Sequence, residues 1–128
     1  MLASAKLIGF IPTRDPQKSR EFYVRTLGLR FVSEDHFAIV VDSNGMMVRI
    51  TNVSNAGDFK PFPFTILGWN VENAEQTVRE LTQKGITFER FPGLQQNAHG
   101  IWQSPAGAKI AWFKDPDGNL LSITEFKS

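Results

Sequence analysis

The feature that most constrains the fold is a pattern of helix starts, helix ends and turns that occurs twice along the chain. Three residues of the first half recur 57 positions later: Asp15 as Glu72, Gly28 as Gly85, and Phe31 as Phe88. Beyond an insertion at residues 92–107 the offset becomes 73, which aligns Asn44-Gly45 with Asp117-Gly118. This pattern favours a tandem duplication, with chance spacing of common Gly and Asp residues as the alternative.

Each copy predicts a strand, a helix and further strands. Asp15-Pro16 and Asn73 are helix-start signals, and Gly28 and Gly85 end the two helices. Apolar and β-branched runs predict strands at residues 7–11, 29–33, 37–42, 46–51, 64–71, 86–88, 109–113 and 120–124, with a short one at 101–103. The predicted fold class is α+β, with βαβββ units at about residues 5–52 and 64–126 joined by a connector at 53–63, in one domain of residues 1–128.

Charge and composition exclude several classes of function. The 128 residues carry a formal net charge of +1, which gives no basis for nucleic acid or an anionic membrane as a partner. No apolar run approaches the roughly 18 residues that a membrane-spanning helix needs, and the first residues lack the pattern of a signal peptide. The absence of cysteine excludes disulfides and thiolate chemistry. We therefore expect a cytoplasmic protein.

Two motifs resemble those of a known superfamily. Asp15, Ser19, Phe22-Tyr23 and Leu27-Gly28 resemble the opening motif of the vicinal oxygen chelate superfamily, and residues 113–119 resemble its closing motif. That group includes glyoxalase I, bleomycin resistance proteins, fosfomycin-resistance enzymes and extradiol dioxygenases. The resemblance implies a curved, eight-stranded mixed sheet around a cleft, and a homodimer whose partners complete each other's clefts. In the enzymes of the group, a divalent metal ion in the cleft binds a pair of substrate oxygens.

The four positions to which the resemblance assigns metal ligands carry poor ligands in this chain. They are Ile8, Arg49, Ile66 and Ser122. Isoleucine has no lone pair to donate, and a guanidinium repels a cation. A single serine hydroxyl is a weak ligand for Mg²⁺, Zn²⁺ or Fe²⁺. We therefore expect no metal ion, no cofactor and no catalytic residue at these positions.

Alternation along the strands places further side chains on the same inward faces. Arg49 is the one charged group among them, and it would bind a ligand carboxylate or phosphate or form a structural ion pair. Trp112 would form either a pocket wall or core, and Ser122 would donate a hydrogen bond to a ligand or to a neighbour. The candidate ligand-binding residues are Arg49, Trp112, Ser122, Met47 and Ile110, together with Trp102 and His99 of the insertion.

The function favoured by these features is metal-free binding of a small apolar or aromatic ligand, with an anionic group if Arg49 contacts it, as in bleomycin resistance proteins. The alternative is a metal-dependent lyase, isomerase or oxygenase of the glyoxalase or dioxygenase type, with its ligands in unusual places. A third hypothesis is metal-free catalysis, in which Arg49 stabilises an enolate and His99 or a water molecule moves the proton. The sequence does not decide whether any reaction is catalysed.

Overall fold

The chain folds as two units, one ending at Lys60 and the next beginning at Pro61. The computed structural model describes residues 1–127. The elements in chain order are β1 (Ile8–Thr13), α1 (Pro16–Arg20), β2 (Arg30–Glu34), β3 (Ala38–Ser43), β4 (Met46–Asn52), β5 (Thr65–Asn70), α2 (Ala74–Gln83), β6 (Trp102–Gln103), β7 (Lys109–Lys114) and β8 (Leu120–Glu125). The eight strands form two four-stranded mixed sheets, which confirms the predicted α+β class.

The first unit is a sheet with the strand order β1-β4-β3-β2 and a helical segment on one face. β1 and β4 are parallel, and the other pairs are antiparallel. The Asp15 carboxylate accepts a hydrogen bond from the Lys18 backbone N–H, and Pro16 begins α1, as the sequence predicts. Tyr23 is fully buried. The apolar residues buried with it are Ile11, Ile39, Val41, Val48 and Ile50.

The second unit repeats this plan with the strand order β5-β8-β7-β6. β5 and β8 are parallel, and the remaining pairs are antiparallel. The Asn73 side chain caps α2 by accepting from the Gln76 N–H, and the Glu125 carboxylate accepts from the Ala74 N–H at 2.8 Å. Both acceptors satisfy N–H groups that a helix start leaves without intrahelical partners. The buried apolar side chains of this unit include Val78, Ala111, Phe113, Leu121 and Ile123.

The predicted strand at residues 86–88 is wrong. Only Phe88 forms a β-bridge, to Phe113, and the outer strand of this sheet is β6. Residues 89–91 instead bond to the insertion, because the Gln96 carboxamide accepts from the Phe91 N–H and donates to the Glu89 carbonyl. The Glu89 N–H still donates to the Trp112 carbonyl of β7 at 2.8 Å, whereas the Glu89 carbonyl and the Phe91 N–H bond to a side chain and not to a strand.

The first predicted helix also differs from expectation, since α1 ends at Arg20 and continues as a π-helix at Glu21–Thr26. The wider π turn carries Phe22 and Leu27 to partly buried positions and leaves Tyr23 fully buried. β1 runs two residues beyond its predicted end, through Pro12 to Thr13. Proline is tolerated there because β1 lies at the edge of its sheet. Neither α-helix within residues 1–127 is long and apolar enough to cross a membrane.

Candidate functional site

The first unit leaves one face of its sheet open, and Arg49 lies on it. Arg49 on β4 stands opposite Phe10 on β1, and Met47 stands opposite Ile8. Phe10 is 64% exposed, Ile8 48% and Met47 41%. Alternation puts the neighbours Val48 and Ile50 into the core, so the Arg49 guanidinium lies on the open face with the apolar side chains of Ile8, Phe10 and Met47. Asp42 pairs with Met47 and lies on the same face, where its carboxylate is 3.8 Å from the Arg30 Nε. The Arg49 guanidinium beside exposed apolar side chains is an arrangement that suits an anionic, partly apolar ligand.

Arg49 is partly buried, and within residues 1–127 its guanidinium makes no ion pair or hydrogen bond. The structural ion pair that the sequence left open is therefore not formed among the described residues. The charge of Arg49 acts on the pKa of the Asp35 carboxylate. The backbone N–H groups of Ala38 and Phe37 lower the pKa of Asp35 most, and the charge of Arg49 lowers it further. Asp35 is already satisfied by those two backbone donors, at 3.0 and 2.8 Å.

The second unit also has an open face, on which Ser122 and Trp112 are cross-strand neighbours. Ser122 on β8 stands opposite Trp112 on β7 and opposite Gly68 on β5. A Cβ atom at position 68 would lie 2.6 Å from the Ser122 Oγ, so glycine leaves the space that the hydroxyl occupies. Ser122 is 8% exposed, and its hydroxyl has no hydrogen bond within residues 1–127. It remains available to a small polar group.

Three rings form an aromatic cluster on this unit: Phe91, Trp102 and Trp112. The Phe91 ring meets the Trp112 ring edge to face, with centroids 5.4 Å apart and planes at 88°. The Trp102 ring lies 6.2 Å from Trp112, tilted by 34°. Ile110 stands opposite Trp102 in the β6–β7 pair. All four side chains are partly exposed, so the cluster offers aromatic surface to a ligand.

The structure brings together four of the candidates on the second unit, but it places His99 elsewhere. The four are Trp112, Ser122, Trp102 and Ile110. The His99 Nε2 lies 3.6 Å from the Glu75 Oε1 on α2. His99 also lines a cavity of about 260 Å³ beside Thr82 and Ile86, close to that helix. Phe91, which sequence reasoning missed, joins the cluster instead. Its only sequence signal is an aromatic residue directly before the Pro-Gly turn that opens the insertion.

A model of the Glyoxalase/Bleomycin resistance protein/Dioxygenase superfamily matches residues 6–123. The chain belongs to this superfamily. Its duplicated βαβββ plan is the one that the resemblance of the motifs at residues 15–28 and 113–119 predicted. No curated protein matches the chain significantly.

Several solved structures share the fold at low sequence identity. The bleomycin resistance determinant encoded on transposon Tn5 has a TM-score of 0.74 and 18% identity, over 98% of this chain and all of that one (100%). An antibiotic-binding protein from Streptomyces sp. CB03234 has a TM-score of 0.72 and 19% identity, over 99% of both chains. A lactoylglutathione lyase from Agrobacterium tumefaciens has a TM-score of 0.70 and 16% identity, over 95% of this chain and 93% of that one.

The side chains at the positions inferred for the superfamily's metal do not fit a divalent cation. In the first unit these positions hold an exposed Ile8 and the Arg49 guanidinium. In the second unit Ser122 offers one hydroxyl, and Ile66 lies where the β5–β8 register shifts, so that Gly68 rather than Leu67 stands opposite Ser122. Within residues 1–127, no three His, Cys, Asp or Glu side chains form a group that could hold a metal ion. The positions of the first unit thus offer only a positive charge, and those of the second unit offer only one weak neutral oxygen.

Proposed function

We propose that this member of the superfamily binds a small, partly aromatic, anionic compound without a metal ion. The observation that carries the proposal is the Arg49 guanidinium, which is partly buried beside exposed apolar side chains and has no ion pair within the described residues. Partial removal of a cation from water without a partner is unfavourable. A ligand carboxylate or phosphate supplies that partner, and the planar guanidinium matches its geometry with two parallel N–H donors.

The aromatic cluster is a separate surface on the second unit, and it supports binding of an aromatic ring there. Trp102 and Trp112 present partly exposed ring surface, and a stacked or edge-to-face ring contributes about 0.5–1.5 kcal/mol beyond its buried area. The Ser122 hydroxyl adds one hydrogen bond for orientation. A mostly apolar lining with a few polar anchors is the usual composition of a small-molecule site.

The relatives divide between binding and catalysis. The names of two structural relatives describe proteins that confer bleomycin resistance and bind an antibiotic. The name of a third describes a lyase, which favours the alternative function, a metal-dependent enzyme of the glyoxalase type. The side chains of Ile8, Arg49, Ile66 and Ser122 do not suit a divalent ion, and this supports binding over that alternative.

The test compares 2-naphthoate with its neutral analogue 2-naphthamide by isothermal titration calorimetry. A hydrogen bond to a charged group contributes about 1.5–3 kcal/mol, so we expect the wild type to prefer the carboxylate by about ten- to a hundredfold. Arg49→Met should abolish this preference while retaining binding of the amide. Trp112→Leu, at the aromatic surface of the second unit, should weaken binding of both compounds there. Arg79→Met, at an exposed arginine of α2, is the matched control and should change neither affinity.

Two results would overturn this proposal. One is a wild type that binds neither compound, or that keeps its preference for the carboxylate in the Arg49→Met variant. The other is one tightly bound divalent metal ion per chain in elemental analysis of extensively dialysed protein. Turnover of a hemithioacetal or catechol that depends on added metal would establish the enzyme instead.

We further propose a homodimer, as the resemblance implies. Phe62 and Phe64 stack at 5.1 Å in nearly parallel planes, and they are 63% and 56% exposed. Burying a phenylalanine side chain contributes about 1.5–3 kcal/mol, so Phe62→Ser should raise the dimer dissociation constant by at least about tenfold. Sedimentation equilibrium measures it, with Phe126→Ser, at another exposed phenylalanine, as the control. A single-chain mass for the wild type at every concentration would contradict the dimer.

A further inference from the structure

We propose that Gln96 is a positioning residue that determines ligand specificity by fixing the aromatic cluster. This inference rests on the proposed binding function and concerns a residue of the insertion. Its starting observation is a set of three hydrogen bonds made by one side chain. No other side chain of the insertion joins backbone positions on both sides of the cluster.

The Gln96 carboxamide is partly buried and uses both of its ends. Its Oε1 accepts from the Phe91 N–H at 2.8 Å. Its Nε2 donates to the Glu89 carbonyl and to the Gly100 carbonyl, each at 2.9 Å. Only a primary amide offers one acceptor and two donors in this arrangement. The three backbone partners require such a side chain, because one is an N–H group that needs an acceptor and two are carbonyls that need donors.

These bonds connect the two segments that carry the outer rings of the cluster. Phe91 is bonded to Gln96 through its backbone N–H, and Trp102 forms a β-bridge with Gln96. Gly100, which accepts from the Gln96 amide, lies two residues before Trp102. The centroid of the Trp112 ring lies 5.4 Å from that of the Phe91 ring and 6.2 Å from that of the Trp102 ring. Gln96 therefore sets the separation of the two rings that flank Trp112. That separation decides how wide an aromatic ligand the surface accepts.

Neighbouring contacts hold the rest of the insertion but do not replace Gln96. The Asn97 Oδ1 accepts from the N–H groups of His99 and Ile101, and the Arg90 guanidinium donates to the Asn97 carbonyl at 2.8 Å. The same guanidinium also donates to the Gln96 and Ala98 carbonyls, so Arg90 joins its own segment to the loop as well. Among these side chains only the Gln96 amide bonds both the Phe91 N–H and the Gly100 carbonyl, so its loss should loosen the cluster without unfolding the loop tip.

The experiment compares the wild type with Gln96→Leu, which is similar in size but makes none of the three bonds. The Trp102–Trp112 exciton couplet in circular dichroism reports the ring arrangement, and Trp112→Phe defines its absence. The ratio of the dissociation constants of benzoate and 2-naphthoate reports specificity. We expect the wild type to prefer the bicyclic ligand by about tenfold, and Gln96→Leu to lose most of both the couplet and the preference. Gln95→Leu, at an exposed neighbour, should retain both.

The outcomes separate this inference from the proposed function. If the wild type binds neither carboxylate, the binding function fails and this inference fails with it. If the wild type binds 2-naphthoate and Gln96→Leu keeps either the couplet or the preference, only the role of Gln96 is overturned. Gln96→Glu keeps the acceptor for Phe91 but not the two donors, and it should show an intermediate loss. It decides the matter if Gln96→Leu does not fold.

Discussion

Replacing Phe113 with alanine should lower the free energy of unfolding of the second unit by about 3–5 kcal/mol. Phe113 is 1% exposed and lies between two other rings, with centroids 5.5 Å from Phe88 and 6.3 Å from Trp69. Truncation removes the transfer free energy of a buried ring and leaves a cavity that neighbouring β-strands cannot collapse to fill. Equilibrium denaturation in urea, followed by far-ultraviolet circular dichroism, measures the loss.

The matched control for this prediction is Phe126→Ala, because Phe126 is 62% exposed. It should change stability by less than about 0.5 kcal/mol, as surface substitutions usually do. A loss below about 1.5 kcal/mol for Phe113→Ala would contradict the core position of the ring, since full burial of such a side chain alone contributes at least that much.

Strand alternation gives the adjacent residues Trp112 and Phe113 opposite roles. Phe113 points into the core, whereas Trp112 is partly exposed and belongs to the aromatic cluster. Truncation at Phe113 should therefore reduce stability, and Trp112→Leu should reduce ligand affinity with a much smaller effect on stability. Because side chains alternate between the two faces of β7, this one strand contributes both to the core and to the proposed binding surface.

Local signals in the sequence predicted most of the fold. Asp15 and Asn73 cap their helices as expected. Asn44 and Gly45 both adopt positive φ, at 50° and 88°, as the hairpin between β3 and β4 requires. Each of these features depends on residues adjacent in sequence, so a short stretch contains the information. The repeat then placed the second unit by analogy with the first.

The parts of the site that sequence could not predict depend on contacts between distant residues. The register shift between Thr65 and Leu67 puts Gly68 opposite Ser122, and counting residues cannot detect such a shift. Gln96 gave no signal, because a glutamine in a polar loop is ordinary until its backbone partners at Glu89 and Gly100 are known. The place of Phe91 beside Trp112 follows from those same bonds.

Replacing Asp115 with alanine should destabilise the second unit by about 2–4 kcal/mol, through the turn that joins β7 to β8. Asp115 is 5% exposed, and its Oδ1 accepts from the backbone N–H groups of Asp117 and Asn119, each at 2.9 Å. Its Oδ2 accepts from the Asn119 side-chain amide at 2.9 Å. Alanine leaves these donors without their acceptor in a buried turn, and each unsatisfied buried group costs about 1–3 kcal/mol.

Two further variants, one milder change at Asp115 and one surface control, test this prediction. Asp115→Asn retains one oxygen that can accept from the backbone N–H groups but loses the acceptor for Asn119, so its expected loss is about 1 kcal/mol. Asp58→Ala, at an exposed aspartate of the connector, should be nearly neutral. The urea concentration at the unfolding midpoint should therefore be highest for Asp58→Ala, lower for Asp115→Asn and lowest for Asp115→Ala. Equal midpoints would show that the turn is held by its backbone alone, because the carboxylate would then contribute nothing that proline and glycine do not already supply.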